Sequence, residues 1–291
     1  MPGRAGPRRD TVTRVEYGRE LEVAEQAARA GASAILGLYR RDGVRVEIKS
    51  DHSPVTEADL ESNRVVVALI RAAFPDDAIL SEELPDSPAR LGQRRVWIID
   101  PLDGTRDFIA RTDHFCVHVA LAVDGVAAVG AVHQPVAGAL YSACAGGGAF
   151  LQPGGATTSR VPLRASTRTR PAELRVGVSR LNPSGRLGAC LAATGLDRQT
   201  VALGASVKYM ALAHGDLDLV VNLSPGEMDW DTCAPEVIVR EAGGVLTDGD
   251  GRPFRYNQPD PAHHRGSLAS NGASHPDLVK LLAPHFGADT I

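Results

Sequence analysis

The sequence predicts an α/β fold in two parts: a first half rich in antiparallel strands and a second half in which strands and helices alternate. Three observations carry this. The chain begins with alanine-rich segments of helical period, continues into apolar runs separated by two- to four-residue turns, and ends in short apolar strands separated by helical patterns.

The elements follow in order. Leu21, Ala24, Ala28, Ala32, Ile35 and Tyr39 recur at helical spacing, so residues of about 17–40 should form a long amphipathic helix. Val44, Val46 and Ile48 alternate with polar residues and read as a short strand. Thr56 and Asp59, three apart, form a capping-box start for a helix that runs to about Phe74 through Val66, Leu69, Ile70 and Ala73. Pro75-Asp76-Asp77 ends it, and Ala78 to Leu80 should be a strand with Ser81-Glu82-Glu83 at its end. Val96 to Ile99 is a buried strand that Pro101 should stop, because proline cannot donate to a sheet ladder.

Next come strands over residues 115–123, 126–134 and 139–145, with Asp124-Gly125 and residues 135–138 as turns. Gly146-Gly147-Gly148 reads as a hairpin turn and not a phosphate loop, since no helix start follows it. Residues of about 154–171 are polar and mark a boundary between lobes, placed at 16–165 and 166–291. Beyond it, strands over 174–178, 200–203, 217–222 and 244–247 alternate with helices over 185–194, 206–214 and 232–242.

Composition narrows the function classes. The 291 residues are 43% hydrophobic and 23% charged, as in an ordinary globular protein, and 31 Lys and Arg against 35 Asp and Glu leave a net charge of −4. No overall positive field would draw the chain to nucleic acid or to a membrane, so neither is expected as a partner. No run is apolar enough to span a bilayer. Arg4, Arg8, Arg9 and Arg14 are not followed by an apolar stretch, which argues against a secretory signal and for the cytoplasm, with residues 1–15 expected to be disordered. The four cysteines, Cys116, Cys144, Cys190 and Cys233, form no CxxC pair and read as buried free thiols.

The most informative stretch is Trp97-Ile98-Ile99-Asp100-Pro101-Leu102-Asp103-Gly104-Thr105. It delivers two carboxylates to a strand end, where they repel one another unless a cation lies between them. Hard divalent ions, Mg2+ or Mn2+, suit such oxygen donors, although Pro-Leu-Asp-Gly is also ordinary turn chemistry. Asp59 in a helix's first turn, Glu82 after a strand and Asp231 before a helix are acids at element ends too. Such ends converge on a crevice in α/β folds. Carboxylates gathered there would hold two or three ions, which suits in-line displacement at phosphorus.

The stretch from Trp97 to Thr105 resembles the central signature of the inositol monophosphatase superfamily of Mg2+-dependent, lithium-sensitive phosphatases. Trp230-Asp231 followed by a helix ending in Ala242-Gly243-Gly244 resembles its second signature, Glu82-Glu83 its acidic pair, and Ser53-Pro54-Val55-Thr56-Glu57-Ala58-Asp59 its first acidic motif. The likeness runs in order from about residue 20 to 285. It implies an αβαβα layered sandwich of the inositol monophosphatase and fructose bisphosphatase type. It also implies that Glu82, Asp100 and the Leu102 carbonyl bind a first Mg2+. Asp100, Asp103 and Asp231 would bind a second, and Asp59 with Glu82 a looser third, with Mn2+ possible and Ca2+ or Li+ inhibitory. Thr105, with Asp59 or Glu82, would orient the attacking water. The amides of Gly104 and Thr105 would meet the phosphate, with Asp231 also on the substrate side. Glu83 would stand behind the ligands.

Within the superfamily the chain is most similar to the bacterial 3′(2′),5′-bisphosphate nucleotidase branch, which clears 3′-phosphoadenosine 5′-phosphate. Ser53-Pro54-Val55-Thr56, Arg106-Asp107-Phe108 and above all Gly204-Ala205-Ser206-Val207-Lys208-Tyr209 carry that likeness. Ser206 and Lys208 at a helix start would take the second phosphate, the one not cleaved. Ser179 and Arg180 are candidates for phosphate or ribose contact. Asn182 stands where the branch commonly has histidine, which leaves the adenine-side contacts unassigned. Alternatives are an inositol or sugar monophosphatase, a pathway-specific phosphatase, or a noncatalytic nucleotide-binding protein. The expected assembly is a monomer or homodimer. His114, His118, His133, His263 and His264 read as packed, exposed or loop residues and not as ligands.

Overall fold

The computed structural model describes residues 16–41, 45–48, 54–155, 159–181, 185–204, 206–223 and 225–287. The expected disorder of residues 1–15, together with Val44, Ser53, Asn182 and Ala205, lies outside them.

The described elements are α1 (Gly18–Tyr39), β1 (Val46–Ile48), β2 (Pro54–Thr56), α2 (Glu57–Ala73), β3 (Ala78–Ser81), β4 (Arg95–Asp103), α3 (Thr105–Ile109), β5 (Cys116–Val123), β6 (Val126–Gln134), β7 (Ala139–Cys144), β8 (Gly148–Gln152) and β9 (Val161–Pro162). They continue as β10 (Val176–Ser179), α4 (Gly185–Thr194), β11 (Thr200–Leu203), α5 (Val207–His214), β12 (Leu219–Asn222), α6 (Asp229–Glu241), β13 (Val245–Thr247), β14 (Ser267–Ser270) and α7 (His275–Leu282).

Strands β3 to β9 form a seven-stranded sheet in sequence order, antiparallel except for the parallel β3–β4 pair. The second sheet has the order β11-β10-β12-β14-β13, with β10 parallel to both neighbours and β14 antiparallel to both of its own. One face of the large sheet, through Trp97, Ile99, Val117, Val119 and Leu121, packs on Ala24, Ala28, Ile35, Val66 and Ile70 of α1 and α2. Its other face, through Val96, Ile98, Cys116 and Ala120, packs on Cys233, Val237 and Ile238 of α6 and on Tyr209 and Met210 of α5. Those helices also cover Val220, Leu246 and Ala269 of the small sheet, whose far face meets Leu187 and Leu191 of α4 and Leu278 and Leu282 of α7. The layering is therefore αβαβα, as the family resemblance implied.

Close packing of the middle layer depends on one small residue. A Cβ at Gly130 in β6 would lie 2.5 Å from the Ala234 carbonyl oxygen, so only glycine lets α6 lie this near the sheet.

Proline does not stop β4. The strand runs through Pro101 to Asp103, with a register shift against β5 between Asp100 and Asp103. Pro101 and Leu102 occupy this irregularity, where the ladder has no use for a proline N–H. The helix carrying Asp231 begins at Asp229, so this acid lies in the first turn and not before it. Gly146 and Gly147 do form the β7–β8 hairpin turn.

Candidate active site

Of the five acids singled out in the sequence, Glu82, Asp103 and Asp231 line one cavity, Asp100 is buried beside Asp103 and Asp231, and Asp59 is buried against the lining residue Thr105. Two are set by the same local device. Asp59 is the third residue of α2, where its Oδ2 accepts from the backbone N–H of Thr56 at 2.8 Å and from its hydroxyl at 2.6 Å. Asp231 is the third residue of α6, where its Oδ2 accepts from the N–H of Met228 at 2.6 Å. In each case a capping contact that starts the helix also orients the acid.

Asp100 and Asp103 owe their places to the irregular end of β4. Asp100 accepts from the Leu102 N–H at 3.0 Å, and Asp103 from the Ser206 N–H at 2.7 Å, across to the start of α5. The hydroxyl of Ser62 on α2 ties down the Pro101 carbonyl at 2.7 Å. Gly104 then turns the chain at φ 91°, a left-handed value natural to glycine, so that Thr105 can begin α3. The Thr105 hydroxyl donates to Asp59 Oδ1 at 3.0 Å. Glu82 follows β3, and its N–H bonds the Ile99 carbonyl at 3.2 Å.

Carboxylate oxygens of Asp100, Asp103 and Asp231 lie within 4.8 Å of one another. Burial, then repulsion from Glu82, Asp103 and Asp231, holds the Asp100 carboxyl well above the ordinary carboxylate range. Burial and Asp103 do the same to Asp231. Burial raises Asp59 despite its three hydrogen bonds. Buried acids that repel each other into holding protons form a donor set that a multivalent cation would relieve, and the all-oxygen chemistry suits a hard ion such as Mg2+.

Part of this set opens on a cavity of about 410 Å3. Its lining includes Glu82, Asp103, Gly104, Thr105 and Asp231 together with Ser179, Ser206 and Lys208, whereas Asp59 and Asp100 are buried and not among the lining residues. Arg180 is exposed and is not among the lining residues, whereas its neighbours Ser179 and Leu181 are. Arg106, Asp107 and Tyr209, part of the sequence likeness, also line the cavity.

Three lining residues, Asn222, Gly226 and Glu227, had no sequence signal. Asn222 ends β12 with no motif around it, and Glu227 lies in the loop before α6. Glu227 accepts from the Tyr209 hydroxyl at 2.6 Å. Only the proximity of Glu227 to Asp231, four residues on, could have flagged it.

The histidines divide. His114 accepts from the Gly204 N–H at 3.0 Å, which braces the loop before Ser206. His133 is buried and pushed down to about 4, first by desolvation and then by Arg29. His263 is buried against the ring of Phe254, and His264 is exposed beside Asp260. His118 is fully buried, with Nε2 3.5 Å from Asp103 Oδ2. All four cysteines are buried free thiols.

Comparison with known proteins agrees with this geometry. The profile of the inositol monophosphatase family matches residues 18–285. The chain is 35% identical over 236 residues to the 3′(2′),5′-bisphosphate nucleotidase CysQ of Escherichia coli K12, covering 79% of this chain and 91% of that one. It is 36% identical over 206 residues to the 3′-phosphoadenosine 5′-phosphate phosphatase of Mycobacterium leprae, covering 70% and 73%. The crystal structure of CysQ from Bacteroides thetaiotaomicron, a bacterial member of the same family, superposes with a TM-score of 0.77 at 27% identity, over 88% of this chain and 98% of that one.

Proposed function

The chain belongs to the inositol monophosphatase family, and on that premise we propose that it is a Mg2+-dependent phosphomonoesterase that removes the 3′-phosphate from 3′-phosphoadenosine 5′-phosphate. The observation that carries the reading is one cavity lined both by half-buried Asp103 and Asp231, whose carboxylate oxygens lie within 4.8 Å of each other and of buried Asp100, and by Ser206 and Lys208. A substrate with two phosphates fits that lining. The scissile one meets the acids and the second meets the cation and hydroxyl.

Glu82, Asp100 and the Leu102 carbonyl would hold one Mg2+. Asp100, Asp103 and Asp231 would hold another, and Asp59 with Glu82 a third. Bound there, Mg2+ lowers the pKa of the attacking water and takes up charge on the leaving oxygen. The chain's own groups place the reactants. The Thr105 hydroxyl donates to Asp59 Oδ1, which leaves its lone pairs to accept a hydrogen from water and so fix its direction of attack. The amides of Gly104 and Thr105 would receive the phosphate oxygens. No covalent nucleophile is called for, and burial keeps the Cys116 and Cys233 thiols protonated. Ser179 would contact the ribose or the second phosphate. Arg180, exposed between the lining residues Ser179 and Leu181, is a second candidate for contact with phosphate or ribose.

Phosphate release with Mg2+ from 3′-phosphoadenosine 5′-phosphate, inositol 1-phosphate and fructose 1,6-bisphosphate tests the proposal. The adenosine bisphosphate should be preferred by at least tenfold in kcat/KM, and excess chelator should abolish turnover. Lys208→Ala should raise KM for the bisphosphate about tenfold and leave inositol 1-phosphate unchanged. An equal effect on both substrates would remove the second-phosphate role.

A further inference from the structure

Behind the acidic wall lies a second donor set of different chemistry. In β5, Cys116 and His118 are two residues apart and so face the same side of the sheet, toward α6. Cys116 pairs in register with Asp103 and His118 with Asp100. Ligand atoms of Asp103, Cys116 and His118 all lie within 4.8 Å of one another.

The ring of His118 is oriented by its far side. Its Nδ1 lies 3.2 Å from the Trp230 carbonyl, which can only accept, so Nδ1 carries the hydrogen. Nε2 is then a lone pair aimed at Asp103 and Cys116. It is fully buried, has no hydrogen-bond partner among the described residues, and stands 3.5 Å from Asp103 Oδ2. A lone pair facing a carboxylate gains nothing from it. The separation does match two donors on one tetrahedral ion with bonds of about 2.0–2.1 Å, which stand roughly 3.3 Å apart.

We propose that Asp103, Cys116 and His118 form a site for a borderline-soft divalent ion, Zn2+ first among them, and that its occupation withdraws Asp103 from the Mg2+ cluster and inhibits the enzyme. One oxygen, one sulfur and one nitrogen donor suit Zn2+, whereas Mg2+ takes oxygen donors and would leave the thiol and imidazole alone. Binding releases the Cys116 proton to solvent, and no oxidant or reductant is involved. The inhibitory half rests on the proposed phosphatase activity; the binding half does not.

Co2+ is the probe, added to the full chain in excess Mg2+. The expected result is a thiolate-to-cobalt charge-transfer absorption that saturates at one ion per chain and is displaced by Zn2+. It should vanish in Cys116→Ser, and Co2+ affinity should fall at least tenfold in His118→Asn, which tests the site independently should the cysteine variant fold poorly. Absence of the band in the wild type overturns the proposal. So does a band that survives Cys116→Ser, or wild-type affinity in His118→Asn. In the activity arm, the Zn2+ concentration that halves turnover should rise at least tenfold in Cys116→Ser. A wild-type chain inert toward every phosphate ester would defeat the phosphatase reading, and the cobalt band would still judge this one.

Discussion

Asp100→Asn should make the protein more stable and far less active, and the opposite signs are the point of the experiment. Asp100 is 2% exposed and shares the acidic cluster with Asp103 and Asp231 within 4.8 Å. At an effective dielectric constant of about 20, two unit charges 4.8 Å apart repel by about 3.5 kcal/mol, so the two pairs would cost about 7 kcal/mol or more if all three acids were ionised. Asp100 and Asp231 answer by holding protons, and we expect a realised gain of about 2–3 kcal/mol on removing one charge. That corresponds to a rise in Tm of roughly 5 °C without Mg2+ for a chain of this size.

Asparagine keeps an oxygen to accept the Leu102 N–H, so the turn is left intact and only charge changes. Activity should fall about a thousandfold or more, equivalent to about 4 kcal/mol of lost transition-state stabilisation. Added Mg2+ should raise the Tm of the wild type and have much less effect on the variant. The pH dependence has a definite sign. Burial and like charges raise the folded pKa of Asp100 above the unfolded value, so the folded state holds a proton that the unfolded state has given up. Wild-type stability without Mg2+ therefore falls as pH rises out of the carboxylate range, and the variant's should fall less. Thermal melts with chelator and with Mg2+, beside phosphate-release rates, decide it. A variant that keeps activity within tenfold, or melts lower than the wild type in chelator, would refute the reasoning.

Thr105→Val should lower kcat about a hundredfold with little change in KM, because it removes the hydroxyl that aims water and keeps the backbone amide that would meet the phosphate; a change confined to KM would contradict it. Gly130→Ala should cost about 2 kcal/mol in urea denaturation, because the new methyl meets the backbone of α6 at 2.5 Å, and should lower activity as Asp231 shifts. Asp229 is pushed up to about 7 by burial, so its stabilising contribution is present below pH 4 and is lost as pH rises to 7, by on the order of 4 kcal/mol. Asp229→Asn should flatten the urea midpoint between pH 4 and 7, and an unchanged slope would contradict the assignment.

Much of the site was legible because its acids sit in local devices that leave marks in sequence. Thr56 and Asp59 are three apart, Asp100 and Asp103 bracket a proline, and each mark has a local physical cause. The parts that were not legible depend on tertiary pairing. β14 is four buried residues, two of them serine, between two antiparallel partners; its Ser-Leu-Ala-Ser has neither alternation nor an apolar run to announce a strand. α7 has only eight residues, fewer than the helical period needs to stand out. Pro101 was read as a stop because the rule about ladder hydrogen bonds was applied without the bulge that exempts it. His118 could not be placed beside Asp103 from spacing alone, since fourteen residues including α3 intervene and the β4–β5 register joins them.

Main-chain hydrogen bonds explain how repelling carboxylates keep their geometry. Each of the four aspartates accepts one backbone N–H: Asp59 from Thr56, Asp100 from Leu102, Asp103 from Ser206 and Asp231 from Met228. Four different segments supply these donors, and main-chain amides are set by the fold and not by rotamer choice. Such bonds favour the charged form and partly offset the repulsion. The Ser206 amide matters most, because it joins an acid on the large sheet to the helix start that carries Lys208. Besides the packing of α5 on the sheet, this hydrogen bond ties the acids that would hold the ions directly to the helix start that would hold the second phosphate. Loss of charge at Asp103 should therefore disturb the spacing between the two, whereas loss of charge at Asp100, bonded only within its own turn, isolates the contribution of charge itself.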